Sequence, residues 1–112
     1  MKNGFVRVAA AIPSVKVADC RFNISGIENL VKEADNANVQ VICFPELSVT
    51  GYTCADLFFQ QYLLNQVHEA LNRLCMFSYD AKAVIIVGAP LENRNKLYNT
   101  AVVMQGGKVL GV

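Results

Sequence analysis

The sequence is short of the residues on which several kinds of function depend. It has one histidine, His68, and its four cysteines include no C-x-x-C pair. A zinc site needs several such ligands at close spacing, so we do not expect a metal site in this chain. No G-x-G-x-x-G and no Walker lysine follow the first predicted strand, which argues against a nucleotide-binding module.

Charge is also scarce. Charged residues make up 17% of the chain and the formal net charge is +1, against roughly 25% charged residues in a typical globular domain. Lysine and arginine are scattered singly, so neither a nucleic acid nor a membrane surface is indicated as a partner. No apolar run approaches the ~18 residues that a membrane-spanning helix needs.

A secretory signal is not indicated either. The apolar start "FVRVAAAI" is interrupted by Arg7 and followed by Pro13 and Lys16, which does not fit a signal peptide. Spaced thiols without such a signal are typical of a reducing compartment, so we expect a cytoplasmic protein. Among these thiols, we interpret Cys43 as strand core and Cys75 as helix core.

What the chain does have is apolar periodicity, since 54% of its residues are hydrophobic. The patterns predict strands over 5–12, 39–44 and 83–90, helices over 24–37 and about 60–76, and two further strands within 97–112 that turn at Gly106-Gly107. Ser25 and Glu28 offer a capping box for the first helix, with Asn23 as a rival N-cap. Strand, helix, strand, helix, strand predicts an α/β fold with a largely parallel βαβαβ core, and the C-terminal hairpin makes its sheet mixed.

The length of 112 residues fits about one small domain, without an internal repeat or a linker. The last residues, "KVLGV", stop inside a strand pattern and lack a terminating signal. We therefore expect residues 1–112 to be the N-terminal portion of a larger, truncated domain. Apolar surface left exposed by the truncation would favour association into a homo-oligomer.

One acidic residue, Glu46, follows the apolar strand 39–44 directly after Pro45. Functional groups of parallel α/β sheets collect just beyond the carboxyl ends of the strands, and the proline stiffens the exit from this strand. A carboxylate held against apolar walls can act as a general base near neutral pH, because desolvation penalises its charged form. Gly51 permits a sharp turn, after which Tyr52 can project its hydroxyl back towards the end of the strand. The alternative is a glutamate that caps a turn or pairs with a surface lysine.

The other candidates have simpler interpretations. Cys54 lies eight residues past Glu46 on a predicted loop, but no histidine or helix N-terminus is evident to activate its thiol. Lys96 and Lys108 are poor candidates for a catalytic lysine, because both flank or belong to the predicted hairpin. His68 is interpreted as a surface residue of the second helix. Asp56 either caps that helix or faces the rim of the pocket, and capping is the favoured interpretation.

The stretch "FPELSVTGYTCADLF", residues 44–58, resembles the first signature of the carbon–nitrogen hydrolase, or nitrilase, superfamily. Its continuation "CADLF" is similar to the N-terminal glutaminase domains of the glutamine-dependent NAD synthetase family. The segments "RVAAAIP", "IIVGAPLE" and "LYNTAVVMQGGKVLGV" match that family in order and spacing. The resemblance covers essentially the whole chain and implies part of a four-layer α-β-β-α sandwich.

The resemblance implies a Glu–Lys–Cys triad that hydrolyses glutamine to glutamate and ammonia. Glu46 matches the general base, and Tyr52 matches a tyrosine that lines the glutamine pocket. The matching lysine and cysteine would come after Val112, and none of the four cysteines here is at the nucleophile's place. We therefore expect the isolated chain to be inactive, since covalent catalysis requires a nucleophile.

In the longer enzyme, a synthetase domain would use ATP, Mg²⁺ and the released ammonia to amidate deamido-NAD. The 112-residue segment itself is expected to bind no cofactor. Two other functions stay open at this point. One is a stand-alone nitrilase-family amidase that acts on a small amide or nitrile, and the other is a non-catalytic α/β binding module.

Overall fold

The computed structural model describes residues 4–51 and 61–112. Within these ranges the chain forms one five-stranded sheet and two helices. In chain order the elements are β1 Val8–Ala10, α1 Cys20–Asn36, β2 Val41–Cys43, α2 Gln61–Phe77, β3 Val84–Asn93, β4 Lys96–Gln105 and β5 Lys108–Gly111.

The strands lie in the sheet in their order along the sequence. β1, β2 and β3 are parallel neighbours, whereas β4 is antiparallel to both β3 and β5. In the parallel part, Cys43 of β2 is in register with Ala10 on one side and Ile86 on the other. The predicted mixed sheet with a parallel βαβαβ core and a C-terminal hairpin is therefore confirmed.

Each helix is amphipathic and buries one apolar stripe. The buried residues of α1 are Cys20, Asn23, Ile24, Ile27, Val31 and Ala34, and those of α2 are Leu63, Leu64, Val67, Ala70, Leu71 and Leu74. The N-cap of α1 is Asp19, whose side chain accepts a hydrogen bond from Phe22 N at 3.1 Å. The predicted start at residue 24, with a cap from Asn23 or Ser25, is wrong, because Asp19 caps the helix one turn earlier.

The two helices cover one face of the sheet. Their apolar stripes form a single core with strand residues such as Ile42, Ile85, Val87 and Met104. Because alternate strand residues point to opposite faces, their neighbours Val41, Cys43, Ile86 and Val103 lie on the other side, called here the open face. The described chain thus has one helical layer on one sheet layer.

The interpretation of two cysteines as core residues needs correction. Cys43 is exposed, because the buried positions at this end of β2 are taken by Ile42 and Phe44 on the opposite face. Cys75 of α2 is only partly buried. Cys75 packs against the core, whereas Cys43 lies on the open face.

β3 continues past its predicted end at residue 90 and forms a hairpin with β4. The turn residues Arg94 and Asn95 both have positive φ, at 52° and 64°, which is the backbone of a tight hairpin turn. Pro90 lies within β3 opposite Asn99, beyond the point at which pairing with β2 ends. A strand with a neighbour on one side only tolerates proline. The other predicted turn, at Gly106-Gly107, is confirmed, with φ of 60° and 82°.

Polar side chains connect the ends of the elements. The carboxylate of Asp35, near the end of α1, accepts hydrogen bonds from the backbone N–H groups of Lys82 and Ala83 at 3.1–3.2 Å. These bonds fix the entry into β3. Ser78, buried just after α2, accepts a bond from Gly107 N at 3.0 Å and so joins the helix to the β4–β5 turn.

Candidate active site

Glu46 lies on a turn that leaves the carboxyl end of β2, called here the Glu46 turn (residues 45–51). Phe44 N still donates to Ile86 O at 2.9 Å, which extends the parallel pairing by one bond. The chain then folds back on itself, with Ser48 N donating to Pro45 O at 3.2 Å and Gly51 N donating to Leu47 O at 2.7 Å. The predicted position of Glu46, just beyond a parallel strand, is therefore the observed one.

The Glu46 turn is bonded to β3 at Gly88. Val49 N donates to Gly88 O at 3.1 Å, and Gly88 N donates to the buried hydroxyl of Ser48 at 3.2 Å. Both backbone groups of one β3 residue are thus used by the turn. Gly88 therefore fixes the position and orientation of the turn relative to the sheet.

Gly88 also leaves the space in which the turn lies. A Cβ at this position would be 2.3 Å from Leu47 N, 2.8 Å from Pro45 O and 2.9 Å from the carbonyl carbon of Glu46. All three atoms belong to the backbone, so none can rotate away as a side chain can. A glycine is needed here because the backbone around Glu46 passes directly over β3 on the open face.

Asn23 of α1 holds the far end of the same turn. Its fully buried side chain donates to Val49 O at 2.8 Å and to Lys16 O at 2.9 Å, and it accepts a bond from Lys16 N at 2.8 Å. One amide thus satisfies three backbone groups in two loops. The Glu46 turn is fixed both to the sheet and to the helical layer.

The side chain of Glu46 reaches β4. Its Oε1 accepts a hydrogen bond from Nδ2 of Asn99. Asn99 pairs with Pro90, two residues beyond Gly88, and alternates along β4 with residues whose side chains are buried against the helices. The carboxylate is therefore on the open face, beside the turn that carries its own backbone.

Glu46 is exposed. The apolar walls expected around its carboxylate are thus not supplied by the residues that the structure describes. The surface-lysine alternative is not observed either, since the ion pair found in residues 4–51 and 61–112 joins Arg73 to Glu28. Glu46 instead has an uncharged amide donor, an arrangement that orients a carboxylate without pairing it with a positive charge.

The other candidates lie on α2, β4 or β5, or lie outside the described residues. Tyr52, Cys54 and Asp56 lie outside the described residues. His68 is exposed on α2, and Lys96 and Lys108 are exposed at the first positions of β4 and β5.

The described part of the chain contains neither a cluster of metal ligands nor a helix that could cross a membrane. No three or more His, Cys, Asp or Glu side chains of residues 4–51 and 61–112 are grouped so that they could hold a metal ion. No described helix has the length and apolar character required to cross a membrane.

Sequence reasoning missed two residues at the site, Gly88 and Asn99. A glycine inside the strand pattern "IIVGAP" is itself a signal of close backbone approach, and it could have led to Gly88. Asn99 gave no comparable signal. It meets Glu46 through the register of β3 with β4, which local sequence does not specify.

Fold and site together define a mixed α/β protein with an oriented carboxylate beyond the end of a parallel strand, the edge at which sheets of this kind bind their ligands. Residues 7–112 match the carbon-nitrogen hydrolase family. The chain belongs to this family, as the resemblance in residues 44–58 had indicated.

Within this family, the chain is similar to glutamine-dependent NAD(+) synthetases. The chain is 39% identical over 111 residues to a glutamine-dependent NAD(+) synthetase of Mycobacterium tuberculosis, covering 99% of this chain and 16% of the relative. A crystal structure of a glutamine-dependent NAD(+) synthetase from Cytophaga hutchinsonii superposes with a TM-score of 0.87 at 28% identity, covering 95% of this chain and 18% of that one. This chain thus matches a small part of each relative's length.

The fold is shared more widely than the sequence. An amidase from Nesterenkonia sp. superposes with a TM-score of 0.85 over 99% of this chain and 43% of its own, at 23% identity. Likeness at this level of identity shows the fold alone. The nitrilase-type α/β fold is therefore common to this chain, an NAD synthetase and an amidase.

Proposed function

We propose that this chain forms the first part of the glutaminase site of a glutamine-dependent NAD synthetase, with Glu46 as its general base. The observation that supports this role best is the position of the carboxylate. The turn that carries it is bonded to Gly88 through Ser48 and Val49, and its Oε1 accepts a hydrogen bond from Asn99. The 39% identity to an NAD synthetase favours glutamine as the substrate over other amides.

In the proposed reaction, Glu46 takes the proton from a cysteine thiol that is supplied from outside these residues. The resulting thiolate attacks the side-chain carboxamide of glutamine, and a lysine, also from outside, stabilises the oxyanion that forms. Glu46 then gives its proton to the leaving nitrogen, so ammonia departs and a thioester remains. Finally Glu46 takes a proton from water, whose oxygen attacks the thioester, and returns that proton to the departing sulfur, which releases glutamate and regenerates the thiol. Tyr52 is assigned to the glutamine pocket.

The longer enzyme would use this ammonia to amidate deamido-NAD in a synthetase domain that requires ATP and Mg²⁺. The described residues offer no cluster of carboxylates suited to Mg²⁺. We therefore assign no step that involves ATP, Mg²⁺ or deamido-NAD to this chain. We place the enzyme in the cytoplasm and expect it to be a homo-oligomer, and we expect the 112 residues alone to be inactive because they lack the nucleophile.

The test is Glu46→Gln in the full-length enzyme, with Glu92→Gln as a matched control, because Glu92 is an exposed glutamate of β3. Loss of a general base should lower glutamate release by about 10²- to 10⁴-fold. NAD synthesis from added ammonia should persist, since it bypasses the glutaminase site. Undiminished glutamate release by Glu46→Gln would contradict the proposed role.

The same preparation separates the proposed function from a stand-alone amidase. Wild-type enzyme should release ammonia from glutamine, with little activity on propionamide or other small amides. The opposite preference would favour the amidase, whose fold this chain also shares. A non-catalytic binding module is disfavoured by membership of a hydrolase family.

A further inference from the structure

We propose that Asn99 is a positioning residue for Glu46, holding one carboxylate oxygen so that the other meets the substrate. This inference rests on the function proposed above and adds to it a residue that belongs to neither the triad nor the glutamine pocket. Its starting point is the bond from Asn99 Nδ2 to Glu46 Oε1, which joins residues 53 positions apart.

The donor is presented by a well-anchored strand. Asn99 is in register with Pro90 of β3, and next to it the hydroxyl of Thr100 donates to Ala89 O at 2.6 Å. Ala89 is fully buried. The amide of Asn99 is therefore projected from a segment of β4 that is bonded to the core on the opposite face, and its position does not depend on the Glu46 turn.

A glutamate fixed only through its backbone would not be well placed. Its side chain has three rotatable bonds and is exposed, so several rotamers are accessible unless a specific contact selects one. Gly88 fixes the backbone turn from which the side chain of Glu46 extends. Asn99 holds the carboxylate at the end of that side chain. With both anchors in place, the second oxygen, Oε2, has a defined direction, as proton transfer requires.

The chemistry of the donor suits a group that gains and loses a proton in each cycle. A side-chain amide carries no charge and does not titrate, so it neither neutralises the carboxylate nor competes for its proton. When Oε2 takes the proton, Oε1 becomes the carbonyl oxygen of a carboxylic acid and still accepts a hydrogen bond. Asn99 can thus hold Glu46 in both protonation states, whereas a lysine or arginine would favour the ionised state alone.

The test uses Asn99→Ala and Asn99→Asp in the full-length enzyme, with Asn93→Asp as the control. Asn93 is an exposed asparagine of the same hairpin, three residues beyond Pro90, so it introduces the same charge change about 10 Å farther along β3. Asn99→Ala should lower kcat for glutamine hydrolysis about 10- to 100-fold, in line with the loss of a hydrogen bond to a charged group. The KM for glutamine should change little.

Asn99→Asp should act on the pH profile. A second carboxylate beside Glu46 disfavours the ionised form of the pair, so the acidic limb of kcat/KM should move up by about one pH unit or more. Asn93→Asp should leave both kcat and the acidic limb at the wild-type values. Ammonia-dependent NAD synthesis and the thermal unfolding midpoint serve as checks that all variants are folded.

Wild-type kcat together with an unmoved acidic limb in both Asn99 variants would overturn the inference. If Glu46→Gln is inactive in the same experiments, that result overturns the positioning role alone and leaves the proposed function intact. If Glu46→Gln is fully active, the proposed function fails first. The two failures are therefore distinguishable.

Discussion

Replacing Gly88 by alanine tests whether the backbone contact under the Glu46 turn positions the carboxylate. Gly88 is not among the residues with positive φ, so alanine suits its backbone conformation. The penalty is therefore steric. The new Cβ would lie 2.3 Å from Leu47 N, and ordinary contacts of a Cβ begin at 3.4 Å, so the turn or the strand must give way by about 1 Å.

The expected size of the effect follows from that displacement. A misplacement of about 1 Å at a catalytic group can cost about 10²-fold in rate. Crowding of a well-packed site of this kind costs about 1–3 kcal/mol of stability. Gly88→Ala should therefore remain folded at room temperature and yet lose most of the proposed glutaminase activity.

The assay is glutamate release by the full-length enzyme, measured together with ammonia-dependent NAD synthesis and with thermal unfolding. Gly111→Ala is the matched control, because Gly111 also lies in a strand of the same sheet and a Cβ there meets nothing within 4 Å. The control should keep wild-type activity and stability. Activity of Gly88→Ala within about threefold of that control would refute the argument that this close approach sets the position of Glu46.

Two further predictions concern stability. Asn23→Ala leaves three buried or partly buried backbone groups without their partner. At about 1 kcal/mol for each bond, the free energy of unfolding measured by chemical denaturation should fall by about 3 kcal/mol. The control Asn29→Ala, at an exposed position of the same helix, should lower it by less than about 0.5 kcal/mol. Asp35→Ala removes the acceptor of two backbone N–H groups at the entry to β3 and should cost about 1–3 kcal/mol. The exposed Asp80→Ala is its control, and equal denaturation midpoints for these two variants would contradict the role of Asp35.

Much of the fold was predictable because the two helices have regular apolar spacing. The predicted range of about 60–76 for α2 differs by about one residue from the observed Gln61–Phe77. The start of α1 was placed four residues late because Ile24 is the first residue of the regular stripe. The first helical turn, which follows the capping residue Asp19, lies before this stripe, so the apolar pattern did not include it in the helix.

The β3–β4 hairpin was missed for a different physical reason. Its turn needs positive φ at two successive residues, a conformation that Asn-Gly or Gly-Gly announces in sequence. Here the pair is Arg94-Asn95, and the arginine gives no such signal. The predicted end of the strand at residue 90 is also too early, because local sequence does not show that β3 continues as the partner of β4 after its pairing with β2 has ended.

At the candidate site, Glu46 could be located from its sequence context, but its surroundings could not. The expected apolar walls depend on what covers the open face, and local patterns carry no information about that. The same holds for Asn99, whose contact with Glu46 arises from strand register. The function proposed for Tyr52 stays a prediction, since Tyr52 is outside the described residues.

The connection between the Glu46 turn and Gly88 also has a consequence for the order in which the molecule can form. Strands β3, β4 and β5 are antiparallel neighbours joined by two-residue turns, so their contacts are local and form early. Glu46 precedes Gly88 by about 40 residues, and α2 lies between them. During synthesis the Glu46 turn is made before the strand that shapes it. It can reach its final geometry only when β3 arrives, and any opening that removes β3 from the sheet also releases the turn.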